Sequence, residues 1–113
     1  MANSAIRTIV RVKGTLMRAV LNTGANVSII TLPVVKKLHL TMGVPDGSKI
    51  IAVDQTKKNV ISIIRDTSLS IQDARVPVNL LVIETSEDNL LLGIDWMDQY
   101  QADLSFYRKE LRF

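Results

Sequence analysis

The apolar positions of the chain fall into many short stretches with the alternation and β-branched content of β-strands. Ile6–Val12 and Thr15–Leu21 flank Lys13-Gly14, where glycine supplies the positive φ that a tight hairpin turn needs. These two stretches therefore predict an antiparallel hairpin. Further strands are predicted at Ser48–Val53, Val60–Ile64, Thr67–Gln72, Val76–Ile83 and Leu90–Leu92.

The order of the later strands along the chain predicts how they pair. Ser48–Val53 and Val60–Ile64 are expected to form one hairpin across a polar segment. Thr67–Gln72 and Val76–Ile83 are expected to form another, with its turn at Asp73-Ala74-Arg75.

Two short helices interrupt the strands. Thr31 is a good N-cap, and Pro33 is tolerated in a first helical turn, so a helix is predicted that ends near His39. A second helix is predicted over Asp95–Tyr100, with Asp95 and Asp98 placed where a helix dipole favours carboxylates. The class is therefore mainly β with one or two short helices. The last strands are predicted from the alternation of Leu104, Phe106, Leu111 and Phe113 with polar residues.

Length and composition limit the size of the domain and the kinds of site that the chain can contain. A chain of 113 residues is one domain, residues 1–113, and its 47% hydrophobic content can fill one small core. The absence of cysteine excludes disulfides, zinc–thiolate sites and cysteine nucleophiles. The first ten residues lack the apolar core of a signal peptide, and no apolar run has the length of a membrane span. A cytoplasmic location without membrane attachment is expected.

The charge pattern does not favour nucleic-acid binding. The formal net charge is only +3, and aromatic residues make up 4% of the chain. The basic pairs Lys36-Lys37, Lys57-Lys58 and Arg108-Lys109 are scattered rather than gathered into one stripe. These pairs are interpreted as solvated loop and helix residues.

A polar turn between two apolar stretches carries the candidate chemistry. Asn22-Thr23-Gly24-Ala25-Asn26 follows apolar Ala19–Leu21 and precedes a stretch whose apolar residues are Val27, Ile29 and Ile30. The run resembles the active-site turn of retropepsin-like aspartic proteases, which reads Asp-Thr/Ser-Gly-Ala between apolar strands. The catalytic Asp of that pattern corresponds to Asn22.

A second match lies downstream in the order that the family requires. Asn89–Met97 reads Asn-Leu-Leu-Leu-Gly-Ile-Asp-Trp-Met. It resembles the apolar-apolar-Gly element that packs beside the catalytic turn in that family. The Leu-Leu-Gly-x-Asp-Trp form is typical of proteases from Ty3-type LTR retrotransposons. The two motifs together identify the chain as a relative of these enzymes.

The resemblance implies a fold, an assembly and a reaction. The implied fold is a small, closed, β-barrel-like acid protease domain. Each retropepsin subunit supplies one catalytic carboxylate, so the site forms on the twofold axis of a homodimer. The apolar segment Leu104–Phe113 suits an intersubunit sheet. Such enzymes hydrolyse polypeptides with two carboxylates and one water, without a cofactor or metal. Maturation of a retroelement Gag-Pol polyprotein is the implied role.

The resemblance also assigns roles to individual residues. Asn22 stands at the catalytic position. Thr23 would tie the turns of the two subunits together, and Gly24 would let substrate backbone pass closely. Substrate would contact Ala25 and Asn26 from the floor. A flap would cover it from above, with contacts expected from Val53, Asp54, Gln55 and Thr56.

Asparagine at position 22 changes the expected activity. Asn has nearly the shape of Asp but cannot accept a proton from water at neutral pH. General acid–base catalysis contributes about 10²–10⁴-fold, so the chain is expected to bind polypeptide without cutting it. Two explanations stay open: an Asp changed to Asn to stop self-cleavage, or a naturally non-catalytic dimerisation or peptide-binding module. A cellular retropepsin-like protease is a third option.

Other chemistries have weaker support. His39 is the only histidine, so a Ser-His-Asp triad would have to use it, and its position after a helix favours a surface role. Glu87-Asp88 and Asp95 with Asp98 read as loop and helix-start charges rather than metal ligands. Trp96 is interpreted as a core or interface residue.

Overall fold

The computed structural model describes residues 6–43, 60–105 and 107–113. The predicted strand Ser48–Val53 and the predicted flap contacts Val53, Asp54, Gln55 and Thr56 lie outside these ranges, as does Phe106. The strands are β1 Ile6–Val12, β2 Thr15–Leu21, β3 Ile29–Thr31, β4 Val60–Thr67, β5 Leu69–Ile71, β6 Ala74–Arg75, β7 Val78–Ile83, β8 Leu90–Leu92, β9 Asp103–Ser105 and β10 Glu110–Arg112. The helices are α1 Leu32–Lys37 and α2 Ile94–Gln99.

Eight of these strands form one sheet within the described ranges, in the order β4-β7-β3-β8-β2-β1-β5-β6. The predicted hairpin at its centre is confirmed: β1 and β2 pair antiparallel from Ile6 opposite Leu21 to Val12 opposite Thr15. Lys13 and Gly14 turn the chain with φ of 47° and 84°. Positive φ at both central residues matches the twist of the flanking strands.

Two parallel pairings fix the middle of the sheet. β2 pairs with β8 at Val20 opposite Leu91, and β3 pairs with β7 at Ile30 opposite Val82. β8 also pairs antiparallel with β3, so it lies between the strands that precede and follow the Asn22 turn. The two sequence motifs, separated by 62 residues between Asn26 and Asn89, therefore become neighbours in the sheet.

The pairing predicted for Thr67–Gln72 and Val76–Ile83 is wrong. β7 pairs instead with β4, from Val60 opposite Ile83 to Thr67 opposite Val78. β5 forms a short hairpin with β6, and its turn is Gln72 and Asp73 rather than the predicted Asp73-Ala74-Arg75. Gln72 and Asp73 have φ of 51° and 68°, which allows a two-residue turn. β7 lies between β4 and β3 in the sheet and is buried at five of its six positions, as expected of an interior strand covered on both faces.

Both predicted helices are present, with small differences at their starts. Thr31 is the N-cap residue of α1, but its hydroxyl makes no cap bond and instead accepts a hydrogen bond from the Asn89 N–H at 2.9 Å. α2 begins at Ile94, one residue before the predicted start. Asp95 lies in its first turn, whereas Asp98 lies in its last. His39 follows α1 as an exposed residue, as predicted.

The two faces of the sheet bury different apolar clusters. The larger core packs the two helices against one face and is centred on fully buried residues such as Trp96, Ile30 and Leu92. A smaller cluster is formed by Ile29, Leu81 and Ile83. Ile29 and Ile30 are consecutive in β3, so their side chains point to opposite faces. The smaller cluster therefore lies on the second face.

Trp96 joins the C-terminal hairpin to the core. Its ring centroid lies 6.0 Å from that of Phe113 and 5.6 Å from that of Tyr100. β9 and β10 confirm the predicted last strands, and they pair with each other in an antiparallel hairpin with Leu104 opposite Leu111. Trp96 is fully buried, in agreement with the core interpretation.

The expected fold class is confirmed: the domain is mainly β, a half-barrel sheet with two short helices. In the described part of the chain no helix combines the length and the apolar character that a bilayer crossing requires.

Candidate active site

The polar turn after β2 is held by its own hydrogen bonds. The Asn22 N–H donates to the Leu92 carbonyl at 2.9 Å, which continues the pairing between β2 and β8 by one residue. The Ala25 N–H donates to the Asn22 carbonyl at 3.2 Å. Asn22, Thr23, Gly24 and Asn26 are exposed, and Ala25 is buried beneath them. The turn thus presents a fixed set of polar groups at the sheet surface.

The side chain of Asn22 is oriented by the turn itself. Its Oδ1 accepts a hydrogen bond from the Gly24 N–H at 2.9 Å. A Cβ at position 24 would lie 3.2 Å from this oxygen, so a larger residue there would crowd the contact. An aspartate has an oxygen at the same place and can accept the same bond. The turn is therefore shaped to hold a carboxylate as well as an amide.

Asp95 clamps the far end of the turn. Its carboxylate accepts hydrogen bonds from the Ser28 hydroxyl at 2.7 Å and from the Ser28 N–H at 3.1 Å. The hydroxyl of Ser28, which is fully buried, in turn accepts the Gly93 N–H at 3.0 Å. The Trp96 N–H donates to the same carboxylate at 2.7 Å. This network ties the turn to the start of α2.

Backbone contacts complete the junction between the two motifs. The Ile94 N–H donates to the Ala25 carbonyl at 2.8 Å, and the Asp95 N–H donates to the Asn26 carbonyl at 3.2 Å. Gly93 approaches the turn so closely that a Cβ there would lie 2.6 Å from the Val27 carbonyl oxygen. Glycine at position 93 is therefore required by close packing of two backbones rather than by its φ of −98°.

An apolar stripe crosses the second face of the sheet beside the turn. Cross-strand pairing puts one row of side chains on this face, made of Val20, Leu91, Ile29, Leu81 and Ile63. Val20 precedes Asn22 by two residues, so the row begins at the turn. We call this row the apolar stripe. Val20, Leu91 and Ile63 are half-buried and offer apolar surface to a bound chain, whereas Ile29 and Leu81 are buried.

Thr23 lies at a second opening. Its side chain is exposed and lines a shallow groove of about 440 Å³. The groove is formed with residues of α2 and the start of β9, including Met97, Asp98, Asp103 and Leu104. The polar tip of the turn therefore faces a surface that a second chain can reach.

The structure brings together five of the residues predicted from the sequence, Asn22, Thr23, Gly24, Ala25 and Asn26, in one turn. It also adds a pair that the sequence interpretation missed, Ser28 with Asp95. Asp95 was interpreted as a helix-start charge. The signal that could have identified its role is its position two residues after Gly93, in a motif already expected to pack beside the turn.

Comparisons with known proteins agree with this geometry. The family description that matches residues 1–113 is that of retroviral aspartyl proteases. A curated relative, the UBA domain-containing protein Mud1 of Schizosaccharomyces pombe (strain 972 / ATCC 24843), is 25% identical over 103 residues, 91% of this chain. The chain spans about a third (31%) of the length of Mud1.

Two solved structures share the fold. The retroviral protease-like domain of Ddi1 from Leishmania major superimposes with a TM-score of 0.82 at 18% identity, over 99% of this chain and 90% of that one. The EIAV protease complexed with the inhibitor HBY-793 superimposes with a TM-score of 0.63 at 20% identity, over 89% of this chain and 92% of that one.

Proposed function

The chain belongs to the retroviral aspartyl protease family, and we propose that it is one half of an aspartic-protease site that is completed by a second copy of itself. The observation that carries the proposal is the Asn22 turn. Its exposed side chain is oriented by Gly24 and its backbone is anchored to Leu92. In this proposal Asn22 occupies the place of the catalytic aspartate.

The side chain at position 22 decides whether the site can take a proton from the attacking water. An aspartyl dyad works because one carboxylate accepts a proton from the attacking water while the other holds one. Two asparagine side chains on the axis keep the shape but have no group that takes up this proton. The chain as it stands is therefore proposed to bind polypeptide and not to hydrolyse it.

The assembly is proposed to be an isologous homodimer. The sequence has one Asn-Thr-Gly motif, so a paired site needs position 22 of two subunits to meet on a twofold axis. Thr23 is exposed next to Asn22, where its hydroxyl can reach the other subunit. The groove along Met97 and Leu104 gives apolar surface beside that contact.

The substrate is proposed to be an extended polypeptide. Its backbone would pass over Gly24 and Asn26 and pair with main-chain groups, as in other strand-addition complexes. Its apolar side chains would lie on the apolar stripe, against the half-buried Val20, Leu91 and Ile63. Val53, Asp54, Gln55 and Thr56 are proposed to contact it from the other side. The proposed site requires neither a metal ion nor a nucleotide.

Processing of a retroelement Gag-Pol polyprotein inside the cell, in the cytoplasm or within retroelement particles, is the proposed role. The Leu-Leu-Gly-x-Asp-Trp sequence at Leu91–Trp96 supports it. A second candidate is a non-catalytic dimerisation or peptide-binding module within a larger cellular protein. The match to Mud1, a UBA domain-containing protein of which this chain spans 31%, supports a place within a larger cellular protein.

Binding and assembly test the proposal together. Sedimentation velocity across micromolar concentrations should show a monomer–dimer equilibrium. Amide NMR during titration with an apolar peptide library should shift residues 22–26. A chain that stays monomeric at every concentration, or shifts confined to Lys36 and Arg108, would refute a shared peptide site at this turn.

A further inference from the structure

The outer surface of the β1–β2 hairpin is basic, with apolar residues in between. Alternation along β1 points Arg7, Ile9 and Arg11 away from the core. The register of β2 places three residues directly opposite them, Val20, Arg18 and Leu16. We call these six residues the hairpin face. Ile9 and Leu16 are 54% and 58% exposed, so the face carries uncovered apolar surface as well as charge.

The positive charge extends across two further strands. Arg11 pairs with Ser70 of β5, and Ser70 pairs with Arg75 of β6, so Arg75 points to the same side. Arg11 donates to the Gly14 carbonyl at 3.3 Å, an uncharged partner. Over the described ranges, none of the guanidinium groups of Arg7, Arg11, Arg18 and Arg75 forms an ion pair with a carboxylate. The face therefore carries uncompensated positive charge.

The hairpin face is continuous with the candidate active site. Val20 belongs both to the hairpin face and to the apolar stripe, because it pairs with Arg7 on one side and Leu91 on the other. Arg18 precedes Asn22 by four residues of the same strand and its extension, a distance of about 13 Å at the usual rise of a β-strand. An extended polypeptide that passes Asn22 covers this distance in about four residues.

We propose that the hairpin face is a docking surface for an acidic segment of the polypeptide substrate, several residues away from the bond at Asn22. The inference rests on the proposed function, since it concerns the same substrate. Guanidinium groups bind carboxylates through paired hydrogen bonds. β1 and β2 pair with each other along their whole length, and the face of a sheet presents side chains, so the hairpin face binds through side chains. In an extended peptide every second side chain faces the sheet, so acidic and apolar residues that alternate at those positions match Arg7, Ile9 and Arg11 along β1.

Polypeptide fits this surface better than nucleic acid. Single-stranded nucleic acid binds basic surfaces on which aromatic rings stack against the bases, and the hairpin face contains no aromatic residue. The two exposed aliphatic side chains, Ile9 and Leu16, would be left against phosphates and sugars in such a complex. Apolar side chains of an acidic peptide would cover them.

Two double variants of equal charge test the docking surface. Arg11→Gln with Arg18→Gln removes two charges from the hairpin face, and Lys36→Gln with Arg108→Gln removes two from exposed positions elsewhere. The probe is a labelled peptide that repeats Glu-Ser-Leu-Ser (the Glu-Leu peptide), followed by fluorescence anisotropy, with a peptide that repeats Gln-Ser-Leu-Ser (the Gln-Leu peptide) for comparison. The arginine double variant should weaken binding of the Glu-Leu peptide about tenfold, whereas the control should change it less than twofold.

Several results would overturn the docking surface. Equal losses of peptide affinity in the two double variants would mean that the peptide is attracted non-specifically by positive charge. Equal binding of the Glu-Leu and Gln-Leu peptides would mean that the face has no preference for acidic residues. Tighter, arginine-dependent binding of single-stranded DNA or anionic vesicles would assign the face to another partner. An Asn22→Asp chain that cleaves peptides equally well with and without an acidic flank would remove the docking surface and leave the proposed function intact.

Discussion

The carboxylate of Asp95 accepts both hydrogen bonds that Ser28 can donate, from its hydroxyl at 2.7 Å and from its N–H at 3.1 Å. The two residues are separated by 67 positions in the chain. Their contact holds the end of the Asn22 turn against α2. The Ser28 hydroxyl also accepts a hydrogen bond from the Gly93 N–H. The position of Asn22 thus depends on a side-chain pair outside the turn itself.

Asp95→Asn should loosen this junction although it is isosteric. In either orientation of the amide, its NH₂ group meets a backbone N–H, of Ser28 or of Trp96, where a carboxylate oxygen now accepts. The expected loss is about 1–3 kcal/mol of the free energy of unfolding, measured by urea denaturation at fixed protein concentration.

Asp98→Asn is the matched control for Asp95→Asn. Asp98 is an exposed residue of the same helix, so Asp98→Asn should lower the free energy of unfolding by no more than about 0.5 kcal/mol. A double-mutant cycle with Ser28→Ala should show strong coupling to Asp95→Asn. Additive effects of Ser28→Ala and Asp95→Asn would contradict the clamp.

Gly93→Ala should be more damaging than Gly14→Ala. A Cβ at position 93 would lie 2.6 Å and 2.7 Å from the carbonyl oxygens of Val27 and Ala25, so two backbones must separate. At Gly14 a Cβ has nothing within 4 Å, and only its φ of +84° opposes a side chain. The cost at Gly14 should be about 1–2 kcal/mol. Thermal and urea unfolding should show a larger loss of stability for Gly93→Ala than for Gly14→Ala. The reverse order would contradict the close approach of the two backbones at Gly93.

The stability of the fold should fall above about pH 10 through Tyr100. Burial, and then the nearby Asp66 carboxylate, raise the pKa of the Tyr100 phenol above its ordinary value of 10.0. The phenol donates to the Pro77 carbonyl at 2.6 Å, and ionisation would remove that donor. Because the folded pKa is the higher one, the contribution is complete below the unfolded pKa and is lost as the pH rises through the folded pKa.

Unfolding experiments between about pH 9 and pH 11 test the role of Tyr100. Tyr100→Phe should flatten the decline seen in the parent chain, at a cost of about 1 kcal/mol near neutral pH. Tyr107→Phe, which changes a ring that is 96% exposed, should keep the decline of the parent chain. An unchanged decline in Tyr100→Phe would exclude this residue as its source.

Local sequence patterns predicted the local parts of the fold. The β1–β2 hairpin follows from Lys13-Gly14, and Pro33 marks the first turn of α1, whereas the Thr31 side chain forms no cap bond. The pairing of β7 with β4 could not be predicted in this way. Strand β7 is buried on both faces, so its apolar pattern does not show which strand lies beside it. The bulge near Asp66, whose φ is 50°, also leaves no clear mark in the apolar pattern.

The candidate site was predictable to the same degree. The turn of Asn22 was visible because small and polar residues interrupt apolar strands. The Ser28–Asp95 clamp was not, because an aspartate in the first turn of a helix already has a sufficient local explanation in the helix dipole. Only the parallel register of β2 with β8 shows that this aspartate faces the turn.

Peptidase activity of Asn22→Asp is the most direct test of the central claim, that position 22 carries the reaction in a paired site. The variant should cleave polypeptide in EDTA with a bell-shaped, acidic pH profile, because fully ionised and fully protonated dyads both fail. Asn26→Asp makes the same chemical change four residues away in the same turn and, like the parent chain, should cleave about 10²–10⁴-fold more slowly. A folded, dimeric Asn22→Asp protein that cleaves no peptide of a diverse library between about pH 4 and pH 7 would contradict the account.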